Sequence, residues 1–221
     1  MSLRPRRYDL IVFDWDGTLY DSTALITRCI QAACKDVNVA VPNDRDASFV
    51  IGLSLMDALR HAAPALAEDR YPELARRYRH HYFNDLHEIT LFEGVPSLLD
   101  ALKARHHWLA VATGKSRQGL DEALHQSGLR SRFDATRTAD ETASKPNPQM
   151  LLELMRELAV EPERTLMIGD TTHDLQLARN AGADAVAVTY GAHPHEELRD
   201  HGPRHVAHSV PELRSWLLDQ A

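Results

Sequence analysis

Two cysteines are too few to staple a chain of 221 residues. Cys29 and Cys34 lie five positions apart in a helix-like stretch, so they form no disulfide framework and read as two buried thiols suited to a reducing compartment. Positive charge is scarce as well. The formal net charge is −7 and the arginines are scattered, which excludes a general nucleic-acid binder, because such proteins neutralise phosphates with a basic stripe. Long apolar runs are missing too. Leu10-Ile11-Val12-Phe13 is too short for the core of a signal peptide, and no stretch approaches the ~20 apolar residues that span a bilayer. The expectation is a cytoplasmic protein without a membrane partner. Internal repeats and low-complexity segments are absent. The thirteen histidines have no cysteine partners and no tetrahedral-site spacing, so they read as solvated or edge-packed.

What is present is an alternation. Short β-branched or apolar runs at 8–13, 108–113, 135–138, 165–168 and 185–188 are separated by helical stretches at 96–105, 117–127, 148–159, 172–181 and 211–218. Strand followed by helix, repeated, specifies a parallel sheet with crossover helices on both faces, an α/β Rossmann-like core in three α/β/α layers. Between residues 21 and 90 the rhythm breaks into consecutive helices, at 23–37, 55–63 and 72–88, without a convincing strand. The length fits one core plus an insert. The expected division is a core of 1–20 and 91–221 and an α-helical cap of 21–90. Because the insert leaves the core right after residue 20, it hangs as a lid over whatever lies there.

What lies there is Asp14-Trp15-Asp16-Gly17-Thr18, directly after the first apolar run. Two carboxylates released from a buried strand into a glycine turn face one small cavity at the carboxyl edge of the sheet, where open α/β folds bind ligands. At ~4 Å and an effective dielectric of ~20 such a pair repels by roughly 4 kcal/mol, so the site calls for a cation, a proton or a lysine. Further polar groups follow later strands: Thr113-Gly114 after the second, Lys145 before Pro146, and Gly169-Asp170-Thr171-Thr172-His173-Asp174 after the fourth. Gly114-Lys115-Ser116 looks like the end of a P-loop, but the glycine required five residues before Gly114 is Leu109.

In this order, and with a helical insert after the first, the four motifs resemble those of the haloacid dehalogenase-like superfamily over essentially the whole chain. The stretch Asp14 to Ser22 and the helical insert resemble its phosphoglycolate phosphatase-like branch, from which Trp15 and the Gly114-Lys115 pair depart. The resemblance implies a phosphatase acting on a small phosphorylated metabolite. Asp14 is then the nucleophile that becomes an aspartyl phosphate, and Asp16 the acid and base serving the leaving oxygen and the hydrolytic water. Lys145 neutralises Asp14 and the transferring phosphoryl group. Thr113 and the Gly114 amide bind a phosphate oxygen. Mg²⁺ is held by Asp14, Asp170 and the Asp16 main-chain carbonyl, with Asp174 supporting from outside. Gly52, between two insert helices, resembles the substrate-specificity loop of the helical-cap class; a plain interhelix turn fits equally. Arg45 and Arg79 are each compatible with reaching a substrate carboxylate or with coating the insert.

Three other readings share parts of this pattern. A dehalogenase is disfavoured, because such relatives lack a carboxylate at the position of Asp16. A phosphomutase resembling β-phosphoglucomutase uses two such aspartates, and a non-catalytic phospholigand binder would use Asp14 only as an acceptor. Monomer and homodimer are both compatible with the sequence.

Overall fold

In the computed structural model, which describes residues 7–221, a single six-stranded parallel sheet carries the molecule. The first six positions of the expected core segment 1–20 lie outside the described residues. The strands are β1 (Leu10–Phe13), β2 (Trp108–Thr113), β3 (Ala135–Thr138), β4 (Thr165–Gly169), β5 (Asp184–Val188) and β6 (His205–Ala207), in the order β3-β2-β1-β4-β5-β6. Strand order reverses between β1 and β4, and a crevice opens at such a reversal beyond the carboxyl ends of the strands. The helices are α1 (Thr23–Asp36), α2 (Asp44–Phe49), α3 (Leu55–Ala62), α4 (Tyr71–Asn84), α5 (Val95–Ala104), α6 (Arg117–Ser127), α7 (Gln149–Leu158), α8 (Thr172–Asn180), α9 (His195–Asp200) and α10 (Val210–Gln220).

Alternation along the strands builds two apolar layers, because successive side chains point to opposite faces. Ile11 and Phe13 of β1 join Leu99 of α5, Leu120 of α6 and Leu213 of α10 on one face. Leu10 and Val12 join Leu154 of α7 and Leu177 of α8 on the other. Helices on both faces are what a buried parallel sheet requires. The sequence missed β6, a three-residue strand at the sheet edge with only Ala207 buried, and α2 and α9, six residues each and too short to show a period. The helix expected at 72–88 ends at Asn84 and gives way to a 3₁₀ turn at Leu86–Glu88.

Between β1 and α5, helices α1 to α4 gather around a second apolar centre that includes Ile30, Cys34, Leu59 and Leu74. Cys29 and Cys34 are buried and form no disulfide, as their spacing suggested. The chain leaves and returns side by side: the Asp21 amide donates to the Thr90 carbonyl (2.9 Å) and the Phe92 amide to the Leu19 carbonyl (3.1 Å). Two adjacent crossings hold the helical insert above the edge where Asp14 and Asp16 emerge. No described helix is long and apolar enough to cross a membrane.

Candidate active site

Asp14 is the first residue beyond β1, and its amide donates to the Ile168 carbonyl of β4 at 2.9 Å. That bond carries strand pairing one residue further, so the side chain leaves the sheet at the reversal of strand order. Asp14 Oδ1 accepts a hydrogen bond from Lys145 Nζ at 2.6 Å, and the same ammonium donates to Asp174 Oδ1 at 2.7 Å. All three side chains are buried. The second Asp174 oxygen accepts from the Thr171 amide (3.1 Å) and hydroxyl (2.6 Å), closing a capping box at the start of α8. Thr171 is therefore the cap of α8. Asp174 has both oxygens committed, which suits a residue that orients Lys145.

Asp170 follows β4 and is held from two sides. Thr18 Oγ1 donates to its Oδ1 at 2.8 Å and the Ala192 amide to its Oδ2 at 2.7 Å. Gly17 packs against this carboxylate with φ +81°, and a Cβ at that position would overlap it. The glycine of the first motif thus serves both the left-handed turn and the close approach of two motifs. Asp14, Asp170 and Asp174 offer carboxylate oxygens that lie within 4.8 Å of one another, and no histidine joins them among the described residues.

This cluster is short of positive charge. Burial pushes the Asp14 carboxyl well above the usual range against the pull of Lys145, and burial followed by Asp174 pushes Asp170 up to about 7. Burial also opposes the charge on Lys145, yet Asp14 and Asp174 outweigh it and hold the ammonium above its ordinary range. Asp14 Oδ2 is buried without a hydrogen-bond partner among the described residues. An all-oxygen set with one unspent carboxylate oxygen and three acids around one ammonium fits a hard divalent cation. It does not fit the nitrogen and sulfur set of a zinc centre.

Asp16 faces another way. Its Oδ1 accepts from Ser22 Oγ at 2.7 Å and lies 3.1 Å from Lys115 Nζ. Lys115 in turn donates to the Tyr82 hydroxyl of α4 at 2.9 Å, and its ammonium sits 4.9 Å from the centre of that ring. Thr113, the last residue of β2, is buried and accepts from the Lys115 amide at 3.2 Å. Gly114 lies directly beneath the Gly52 and Leu53 carbonyls of the insert, where a Cβ would overlap both. Asp16, Gly52, Gly114 and Lys115 line one cavity with Arg79, whereas Arg45 pairs with Glu197 of α9 at 2.8 Å. The two arginines that the sequence left unranked are thereby separated.

Two groups escaped the sequence reading. Lys115 was dismissed with the failed P-loop, although it lies two residues beyond Thr113 as Asp16 lies two beyond Asp14; that repeated offset was the available signal. Ser22 occupies the cap position of α1, yet its hydroxyl makes no capping bond and turns to Asp16 instead. The expectation for the histidines also fails at His107, His173 and His193, which are buried. His173 Nε2 and His193 Nε2 both donate to the Phe49 carbonyl at the end of α2, at 2.8 and 2.9 Å. The Thr172 amide donates to His193 Nδ1 at 3.0 Å, which fixes that tautomer. Burial lowers the pKa of both rings, His173 to about 4, so they serve as neutral donors that join insert to core.

The profile of the haloacid dehalogenase-like hydrolases matches residues 11–188. The chain belongs to that family. Probable phosphatase IndB of Dickeya dadantii is 34% identical over 209 residues, 92% of this chain and 91% of that one. A 5′-nucleotidase of Pseudomonas aeruginosa is 32% identical over 213 residues, 96% of each. The crystal structure of a predicted phosphoglycolate phosphatase from Haemophilus somnus superposes with a TM-score of 0.83 at 26% identity, covering 96% of this chain and 98% of that one. This haloacid dehalogenase-like hydrolase is an enzyme of the family's phosphatase side.

Proposed function

We propose that the chain is a Mg²⁺-dependent phosphatase that hydrolyses a small phosphorylated metabolite through an aspartyl phosphate, in the cytoplasm, with residues 21–90 acting as its cap. The observation that carries this reading is the Asp14 carboxylate, buried and tied to Lys145 through one oxygen while the other has no partner among the described residues. Asp14 attacks phosphorus in line, forming an Asp14–phosphorus bond as the bond to the leaving oxygen breaks. Asp16 protonates that oxygen. Water then attacks the phosphorus, Asp16 accepts a proton from it, and phosphate departs with Asp14 restored. Lys145 fixes Asp14 and balances charge on the phosphoryl oxygens, and the Thr113 hydroxyl and Gly114 amide bind one of them. Bound by Asp14, Asp170 and the Asp16 main-chain carbonyl, Mg²⁺ would supply the positive charge that this acidic set lacks.

The test is release of inorganic phosphate from p-nitrophenyl phosphate with and without Mg²⁺, by wild type and by Asp14→Asn. The isosteric amide cannot attack, so turnover should drop at least about a thousandfold while the far-UV circular dichroism stays unchanged. A folded Asp14→Asn enzyme with near-native turnover would remove the nucleophile assignment. With a sugar phosphate as substrate, a phosphorylated sugar isomer as product, in place of phosphate, would mark a mutase.

A further inference from the structure

The relatives name a nucleotide and a glycolate ester, and those names do not choose between leaving groups. The cavity does. It measures about 410 Å³, within the ~300–1,000 Å³ that encloses organic ligands of drug size. It opens onto Asp16 but does not include Asp14 among its walls. If Asp16 protonates the leaving oxygen, the cavity on its side receives the leaving group; the inference below rests on that reading.

Its walls are mainly apolar. Tyr20, Tyr78, Tyr82 and Phe83 supply rings, and Ile30, Val50 and Met56 supply aliphatic surface. Tyr78 and Tyr82 stack at 5.8 Å, four residues apart on α4. Phe83, also on this wall, is 50% exposed, a large apolar surface that an occupant would cover. The charges weigh against an anionic occupant. Asp16, Glu122 and Asp140 line the cavity against Lys115 and Arg79, three acids to two bases. Lys115 is already engaged by Asp16 and by the Tyr82 hydroxyl. A two-carbon hydroxy acid would find no buried free cation here among the described residues and would leave most of the space to water against aromatic walls.

We infer that the leaving group taken by this site is an uncharged alcohol carrying a flat ring, and not a hydroxy acid or a second phosphate. The cavity buries the ring between insert and core while Asp16 faces the ester oxygen. Specificity on this account lies in α4 and in the loop around Gly52, outside the motifs that do the chemistry.

Full-length enzyme with Mg²⁺ is assayed for kcat/KM on benzyl phosphate, ethyl phosphate, phosphoglycolate and pyrophosphate. The first two have alkyl leaving groups, which keeps the demand on the proton donor similar. Benzyl phosphate is expected to exceed each of the other three at least tenfold. Gly119 of α6 lines the cavity, and a Cβ there meets only Ser116 Oγ at 3.4 Å, so a larger side chain has room to enter. Gly119→Phe is expected to cut the benzyl-to-ethyl ratio at least tenfold. Phosphoglycolate or pyrophosphate matching or exceeding benzyl phosphate would overturn the inference. So would a benzyl preference that persists in Gly119→Phe of wild-type melting temperature. Turnover of p-nitrophenyl phosphate alongside either result leaves the phosphatase reading standing. If no ester, p-nitrophenyl phosphate included, is turned over, that reading fails and this one falls with it.

Discussion

Lys145 is buried and Lys115 half-buried, and both are bound to an aspartate of the first motif, yet they are built differently. Lys145 is enclosed by the core alone: Asp14 comes from the end of β1, Asp174 from the first turn of α8, and neither its ammonium nor Asp14 is exposed by more than 1%. Lys115 bridges two bodies, since its ammonium touches Asp16 of the core and Tyr82 of the insert, and its side chain keeps 11% of its surface exposed. The contrast separates a fixed charge centre from an adjustable one. On the proposed mechanism, the groups that meet the phosphoryl in one geometry are those held by strand ends and a capping box. Lys115, beside the proposed acid Asp16, is shared with the insert, so its surroundings depend on how the insert sits.

The largest effect should come from breaking the first centre. Lys145→Met leaves Asp14 and Asp174 buried without their common ammonium, and removal of one partner from a buried charge network costs about 3–5 kcal/mol. Urea unfolding without Mg²⁺ should show that loss, together with turnover down at least about a thousandfold. Lys115→Met should be milder. Asp16 keeps its bond from Ser22 and borders the cavity, so stability should fall by no more than about 1–2 kcal/mol. Its kcat/KM should fall roughly 10- to 100-fold, less than the ~10²–10⁴ that a proton donor itself supplies, because Asp16 remains in place. Equal destabilisation by the two substitutions would erase the distinction between the lysines.

The same division decides what the sequence could disclose. Asp14, Thr113 and Asp170 were legible because each closes or follows an apolar run, and parallel strands deliver their carboxyl ends to one edge whatever the details of packing. Lys145 precedes no strand of its own, and its place came from the order of motifs. The contacts to the insert were not legible. Ser22 sits where a helix cap belongs, and its turn toward Asp16 depends on Gly17 bending the chain back with φ +81°. His173 lies in the first turn of α8 and His193 in the loop after β5, and only the docked insert brings the Phe49 carbonyl between them. Periodicity reports which face of an element is apolar. It carries no information on which carbonyl of a short polar helix, such as α2, will meet which ring.

The smallest effect lies at the insert's outer seam, where two contacts of similar length should differ in weight. Arg45 and Glu197 join insert to core at 2.8 Å, but the arginine side chain is 78% exposed. Solvent screening and the cost of ordering two long side chains leave such pairs worth about 0–1 kcal/mol. His193 is buried, its ring stacks on that of Phe49 at 5.0 Å, and its imidazole is shared between the Phe49 carbonyl and the Thr172 amide. His193→Ala strands that amide and removes one of two donors from the carbonyl, a cost of about 1–3 kcal/mol. Thermal unfolding of Arg45→Ala and His193→Ala, measured side by side, should therefore rank the histidine first, with Arg45→Ala within about 0.5 kcal/mol of wild type. An arginine variant as unstable as the histidine variant would mean that the insert is held by its exposed rim, and the Phe49 carbonyl would lose its place as the joint between the two bodies.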